Sequence, residues 1–162
     1  MMNKIFLLAS ILLFLTAALA TAQVHDLDTY DLEEALELAQ STDKKVLIDV
    51  YAEWCPYCER MHKNVYTDPE VAEAIEDYYY LVMINIESSD EVNYLGNEMS
   101  EREFSQQLNS ESLPTTFFMN SSGELLGKQP GLLPADTFYN LLNFVGSDAY
   151  LSTTFEEYQQ SR

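Results

Sequence analysis

Both cysteines of this 162-residue chain, Cys55 and Cys58, stand two residues apart, just after the apolar run Lys45-Val46-Leu47-Ile48-Asp49-Val50-Tyr51. This limits the folds open to the chain, because a short buried strand must deliver a Cys-x-x-Cys pair to the start of a helix. The stretch from Cys58 to Val65 can begin that helix, so Cys55 falls where unpaired backbone N–H groups point outward. The partial positive charge of such an end favours a thiolate over a thiol, and the thiolate is the nucleophile. Cys58, one turn on, is close enough to close a ring with Cys55 and is expected to be less exposed, which suits it to resolving a mixed disulfide. Pro56 has no N–H to leave unpaired in a first turn, and it stiffens the loop between the sulfurs.

Other readings of the pair carry less. A structural staple gains little, because so short a loop removes little chain entropy from the unfolded state. Metal binding would use Cys55, Cys58 and His62, the last two on one helical face, with copper suiting two thiolates and an imidazole better than zinc. His25 is the only other histidine. The expectation is a site without metal or cofactor, while a copper or zinc module and a redox-inert interaction module remain as alternatives.

The surrounding residues resemble a known family. Val46 to Tyr51 followed by Ala52-Glu53-Trp54-Cys55-Pro56-Tyr57-Cys58 is similar to the active-site strand and helix entry of thioredoxin-like proteins. Leu113-Pro114-Thr115-Thr116-Phe117-Phe118 resembles their cis-proline loop, Gly123-Glu124 their hairpin turn, and Gly131 with Pro134 to Phe138 their final helix. Thr67-Asp68-Pro69-Glu70-Val71 is similar to a segment of the exported thiol-disulfide interchange branch, including the C-terminal domain of the periplasmic membrane electron carrier.

The resemblance implies roles by position. Cys55 attacks a substrate disulfide and Cys58 resolves the mixed disulfide. Asp49, six residues before Cys55, matches the family's buried acid and would accept the Cys58 proton; a carboxyl group in an apolar strand is costly unless it has such a task. Trp54, Pro56, Tyr57, Leu113 and Pro114 would contact substrate, with the Leu113 backbone pairing with an extended peptide. A cis peptide before Pro114 is implied as well. Two departures stand out. Pro56-Tyr57 replaces the Gly-Pro of many thioredoxins, and this pair tunes the potential, so reduction, oxidation and isomerisation all fit the motif. Met83 stands where many thioredoxins have a lysine near the acid, leaving Asp49 without that cation. Glutathione sites need cations near the cysteines, and only Arg60 and Lys63 stand there amid Glu53 and Glu59. Protein thiols and disulfides are therefore the expected partners.

Met1 to Lys4 and the apolar run Ile5 to Leu19 read as a secretory signal over residues 1–22, cleaved after Ala20 or Ala22. The apolar run is shorter than the roughly 20 residues that span a bilayer. The protein is therefore expected to be exported, to the periplasm or beyond, where a reductant needs a membrane electron donor. Residues 23–146 form one domain and 147–162 an extension with a short helix built on Leu151, Phe155 and Tyr158. With 27 acidic against 8 basic residues the net charge is -19. Nucleic acid and anionic membrane surfaces are thus poor partners, and a soluble monomer is expected.

Periodicity completes the outline. Asp31-Leu32-Glu33-Glu34 predicts a capping box, with Leu32, Ala35, Leu36 and Ala39 on one helical face. Asp68-Pro69 opens another helix with Val71, Ala74 and Ile75 inward, and Tyr80 to Ile86 reads as a strand buried on both faces. Residues 87–111 form an added helix or loop, with Ser100-Glu101-Arg102-Glu103 capping a helix to Leu108. Thr115 to Met119 and Glu124 to Leu126 form a hairpin, and Pro134 to Val145 the closing helix. The fold class is α/β: a thioredoxin fold, its central mixed β-sheet flanked by helices on both faces.

Overall fold

A computed structural model describes residues 27–161; the expected signal over residues 1–22 lies outside them, as does His25. In chain order the elements are α1 (Leu32–Ser41), β1 (Lys45–Tyr51), α2 (Pro56–Arg60) continued by a π-helical turn (Met61–Val65), α3 (Pro69–Tyr78) and β2 (Tyr79–Asn85). The hairpin β3 (Glu91–Tyr94) and β4 (Asn97–Ser100) and helix α4 (Glu101–Gln107) follow, then β5 (Thr115–Met119), β6 (Leu125–Pro130) and α5 (Ala135–Gly146). A 3₁₀ turn (Ala149–Leu151) and α6 (Phe155–Gln160) end the described chain. Among the described residues no helix is long and apolar enough to cross a membrane.

The main sheet has the order β2-β1-β5-β6, with β1 parallel to β2 and antiparallel to β5, and β5 antiparallel to β6. This is the mixed sheet between helices that the sequence predicts. Side chains alternate across a strand, so β1 sends Val46, Ile48 and Val50 to one face and Leu47 and Asp49 to the other. The first set packs with Leu32, Ala35, Leu36 and Ala39 of α1 and with Phe104 of α4. Leu47 packs instead with Val71 and Ile75 of α3, Phe138 and Leu142 of α5, and Met61 and Val65 of the π turn. Because β1 is covered on both sides, its run is nearly all apolar.

The boundaries carry several corrections. Asp31 is the N-cap of α1 and its carbonyl accepts from Ala35, but its side chain makes no capping bond, so the predicted box does not form there. The box at Ser100 and Glu103 does form, and Asp68 caps α3 through Glu70 and Val71. Residues 87–111 hold the β3–β4 hairpin as well as a helix. Its two-residue turn places Leu95 and Gly96 at φ 54° and 85°, the left-handed pair that a tight hairpin requires. Leucine is an uncommon residue there, which hid the turn. The Leu95 side chain lies over Gly123, and the Tyr94 hydroxyl donates to the Gly123 carbonyl at 2.7 Å.

At the C-terminus, the rings of Phe155 and Tyr158 pack at a tilt against Phe144, but Leu151 is 75 % exposed and joins no core. The extension is instead tied to β1 by the buried Lys45, whose Nζ donates to the Gly146 carbonyl at 3.0 Å and pairs with Asp148 at 2.9 Å. Gly146 also allows α5 to approach α3. A Cβ there would stand 2.5 Å from Cγ and 2.7 Å from Cβ of Tyr78, and the latter is fixed to the helix backbone. Gly146→Ala is therefore expected to lower stability by about 1–3 kcal/mol, the usual cost of overpacking. Urea denaturation should show an earlier midpoint with an unchanged slope.

Candidate active site

Cys55 and Cys58 are joined by a disulfide. Cys55 is the N-cap of α2, and its sulfur accepts the Cys58 N–H at 3.1 Å, taking up one of the amides that a helix start leaves unpaired. The helix begins at Pro56, earlier than predicted, because proline fits the first helical position. Both cysteines are buried, at 4 % and 1 % exposure, among Ala52, Tyr51, Ile86 and Leu113. Trp54 and Tyr57 stand out into solvent beside them. The Tyr57 ring lies 5.7 Å from the Arg60 guanidinium.

Leu113 reaches the sulfurs from the loop before β5, and the Leu113–Pro114 peptide is cis. Hydrogen bonds at both ends of the proline hold that loop: the Thr115 hydroxyl donates to the Ser112 carbonyl at 2.6 Å, and Gly131 N–H donates to the Pro114 carbonyl at 2.8 Å. Thus Cys55, Cys58 and Leu113 meet at one place although 55 residues of chain separate Cys58 from Leu113.

Asp49 is wholly buried on the face of β1 opposite Val50. The sheet register sets Met83 of β2 on one side of it and Thr116 of β5 on the other. Over it lies the π turn, closed by the Tyr66 N–H donating to the Met61 carbonyl at 3.0 Å. A π turn adds a residue to the helical repeat and re-aims the side chains beyond it. Here His62 faces the acid, with Nε2 2.6 Å from Asp49 Oδ2. The ring is stacked on Tyr66 at 5.6 Å and meets Tyr51 edge-on at 5.4 Å.

This arrangement corrects one expectation and weakens another. Met83 does replace the family's lysine, yet Asp49 is not left without a basic partner, because an imidazole reaches it from the helix instead. His62, set beside Cys58 and Cys55 in the metal-binding alternative, has Nε2 engaged with Asp49, and among the described residues no group of three or more acids, histidines and cysteines is placed to hold a metal. His62 was legible only as a neighbour of Cys58 on the helix; its pairing with Asp49 depends on the π turn, which carries no simple sequence signal.

The polar nest is incompletely bonded. Asp49 Oδ1 and the Tyr66 hydroxyl are buried without a hydrogen-bond partner among the described residues. Burial, and then the charge of Asp49, push the Tyr66 hydroxyl well above the usual phenol range. Tyr51 is raised in the same direction, first by burial and then by Glu53. His62, Cys55 and Cys58 open on one cavity of about 360 Å³, with Tyr51 and Ala52 in its wall. Glu59 and Lys63, also on this cavity, pair with each other at 2.6 Å, which holds the Glu59 carboxyl below its ordinary range. Glu59 therefore faces a cation as well as solvent, which reduces the repulsion it would exert on a thiolate at Cys55.

Residues 32–146 match the thioredoxin-like domain family. The chain is 31 % identical over 115 residues to the thiol:disulfide interchange protein DsbD of Actinobacillus pleuropneumoniae, a match covering 70 % of this chain and 18 % of that protein. It thus spans under a fifth of that relative's length. A thioredoxin from Thermus thermophilus is similar in structure, with a TM-score of 0.61 and 27 % identity over 75 % of this chain and 88 % of that one. A thioredoxin-fold protein from Helicobacter pylori shares the fold, with a TM-score of 0.67 and 23 % identity over 89 % of this chain and 94 % of that one. A Cys-x-x-Cys disulfide capping a helix on this fold supports thiol-disulfide oxidoreductase chemistry. The family match runs from the first residue of α1 to the last of α5, enclosing the disulfide, Asp49 and the Leu113–Pro114 loop, and the chain belongs to the thioredoxin-like domain family.

Proposed function

We propose that the chain is an exported thiol-disulfide oxidoreductase acting on protein thiols and disulfides, as a monomeric reductant or electron shuttle supplied from a membrane donor. The observation that carries this reading is the Cys55 sulfur at the start of α2, accepting the Cys58 N–H. The bond that stabilises the disulfide state also favours a thiolate at Cys55 once the pair is reduced. The signal-like residues 1–22 support export, the similarity to a thiol:disulfide interchange protein supports exchange with thiols and disulfides, and a reductant in an oxidising compartment needs a donor from across the membrane.

In the proposed cycle the Cys55 thiolate attacks a substrate disulfide, giving a mixed disulfide and one substrate thiolate. Cys58 loses its proton towards Asp49, attacks the Cys55 sulfur and releases the second substrate thiolate, leaving the Cys55–Cys58 disulfide. Two electrons have passed to the substrate, and the donor returns them to the pair. Trp54, Tyr57 and Pro56 on one side, and Leu113 with Pro114 on the other, border the sulfurs and form the docking surface. An extended substrate segment there pairs with the Leu113 backbone.

Cys55→Ser is expected to abolish insulin-disulfide reduction with dithiothreitol as donor, and activity at the wild-type level would refute the proposal. Cys58→Ala should instead accumulate mixed disulfides with proteins of an extract, visible on non-reducing gels. The direction of electron flow is tested by equilibration with glutathione: a reductant is expected near about -270 mV, and a value near about -120 mV would make the chain an oxidant.

A further inference from the structure

The side chain of Asp49 has one hydrogen-bond partner among the described residues, and it is a titratable one. Asp49 is 0 % exposed, so a proton delivered to its carboxylate has no direct route to water. The His62 side chain is 29 % exposed and opens on the cavity that also holds Cys58. We propose that His62 and Asp49 act as one proton acceptor for the resolving cysteine, with His62 acting through Asp49 to hold the proton and pass it to solvent. This rests on the dithiol-exchange reading above and adds the route by which its proton leaves.

The balance is simple. The mixed disulfide Cys55–S–S–R stands beside a Cys58 thiol and a neutral imidazole bonded to the Asp49 carboxylate. Cys58 gives up its proton, and the pair becomes imidazolium and carboxylate. The Cys58 thiolate forms the bond to Cys55 while the Cys55–SR bond breaks, and RS⁻ leaves with the electron pair. The imidazolium then returns its proton to water or to the leaving thiolate.

Nε2 and Oδ2 stand 2.6 Å apart, within hydrogen-bond reach, so the ring and the carboxylate can hold one proton between them. Stacking on Tyr66 and the edge of Tyr51 fix the ring plane. The other titratable groups around the ring are few. Tyr51 and Tyr66 are neutral phenols, raised by burial, and Glu59 and Lys63 are paired with each other. Glu53 shares the cavity, and the β2 side, at Leu81 and Met83, and the N-terminal segment, at Leu27 and Thr29, bring no ionisable group. The charge that the imidazole meets at hydrogen-bond distance is therefore that of Asp49.

Stopped-flow reaction of the reduced full chain with Ellman's reagent separates the two steps, since Cys55 releases the first thionitrobenzoate and Cys58 the second. In the wild type the second release should slow as pH falls, because a pair that already holds its proton cannot accept another. His62→Gln keeps an N–H for Asp49 but cannot titrate. It should slow the second release at least about tenfold at pH 7 and flatten its fall with pH, leaving the first release unchanged. His62→Phe keeps the stack on Tyr66, and it should be as slow as His62→Gln; recovery of the wild-type rate would show a packing role and overturn the proposal. So would a wild-type second release that does not slow as pH falls, which needs no variant to be measured. Absence of any first release in the wild type would instead refute dithiol exchange itself, and the two failures are thus distinguishable.

Discussion

Coverage of β1 on both faces is the constraint on which the rest of the structure depends. A strand sealed by α1 and α4 on one side and by α3, α5 and the π turn on the other must be apolar at nearly every position. The same strand holds Asp49 at a fixed depth and ends directly before the cysteines. Its rigidity therefore sets two things together, the position of the Cys55 cap and the position of a buried carboxylate. A polar group in such a place is costly unless bonded, and the cost is met on one oxygen by an imidazole.

The site is built from three kinds of contact acting on one pair of sulfurs. Helix geometry brings the Cys58 N–H to Cys55, and sheet register sets Met83 and Thr116 at the flanks of Asp49. Irregular backbone does the remainder: the π turn aims His62 inward, and the loop before β5 brings Leu113 to the disulfide. Negative charge is abundant over the chain, yet near the sulfurs Glu59 is matched by Lys63. The local field at Cys55 consequently owes more to the helix start than to the net charge.

Much of this was legible in the order of residues. The apolar run of β1, the inward faces of α1 and α3, and the Ser100 box follow from local composition, short-range periodicity and capping chemistry, which read correctly one element at a time. The Asp31 box failed because a sequence pattern permits a side-chain bond without requiring it. The β3–β4 hairpin was missed because leucine occupies a left-handed position usually given to glycine or asparagine, and a distant contact with Gly123 supports it. Leu151 fitted a helical spacing that the chain does not continue, since a 3₁₀ turn ends there.

By itself the sequence determined that a buried strand would deliver two cysteines to a helix start, because strand period, helix entry and proline placement are local properties. It also determined that an acid would lie in that strand. Only the tertiary structure decided what the acid meets. Asp49 and His62 are thirteen residues apart on different elements, and one extra residue in the helical repeat changes which side chain points at the sheet. That choice is made by packing of the π turn against β1 and α5, through Met61, Val65, Tyr66 and Phe138. The cysteines could therefore be read from the chain, whereas the imidazole beside their proton acceptor could not.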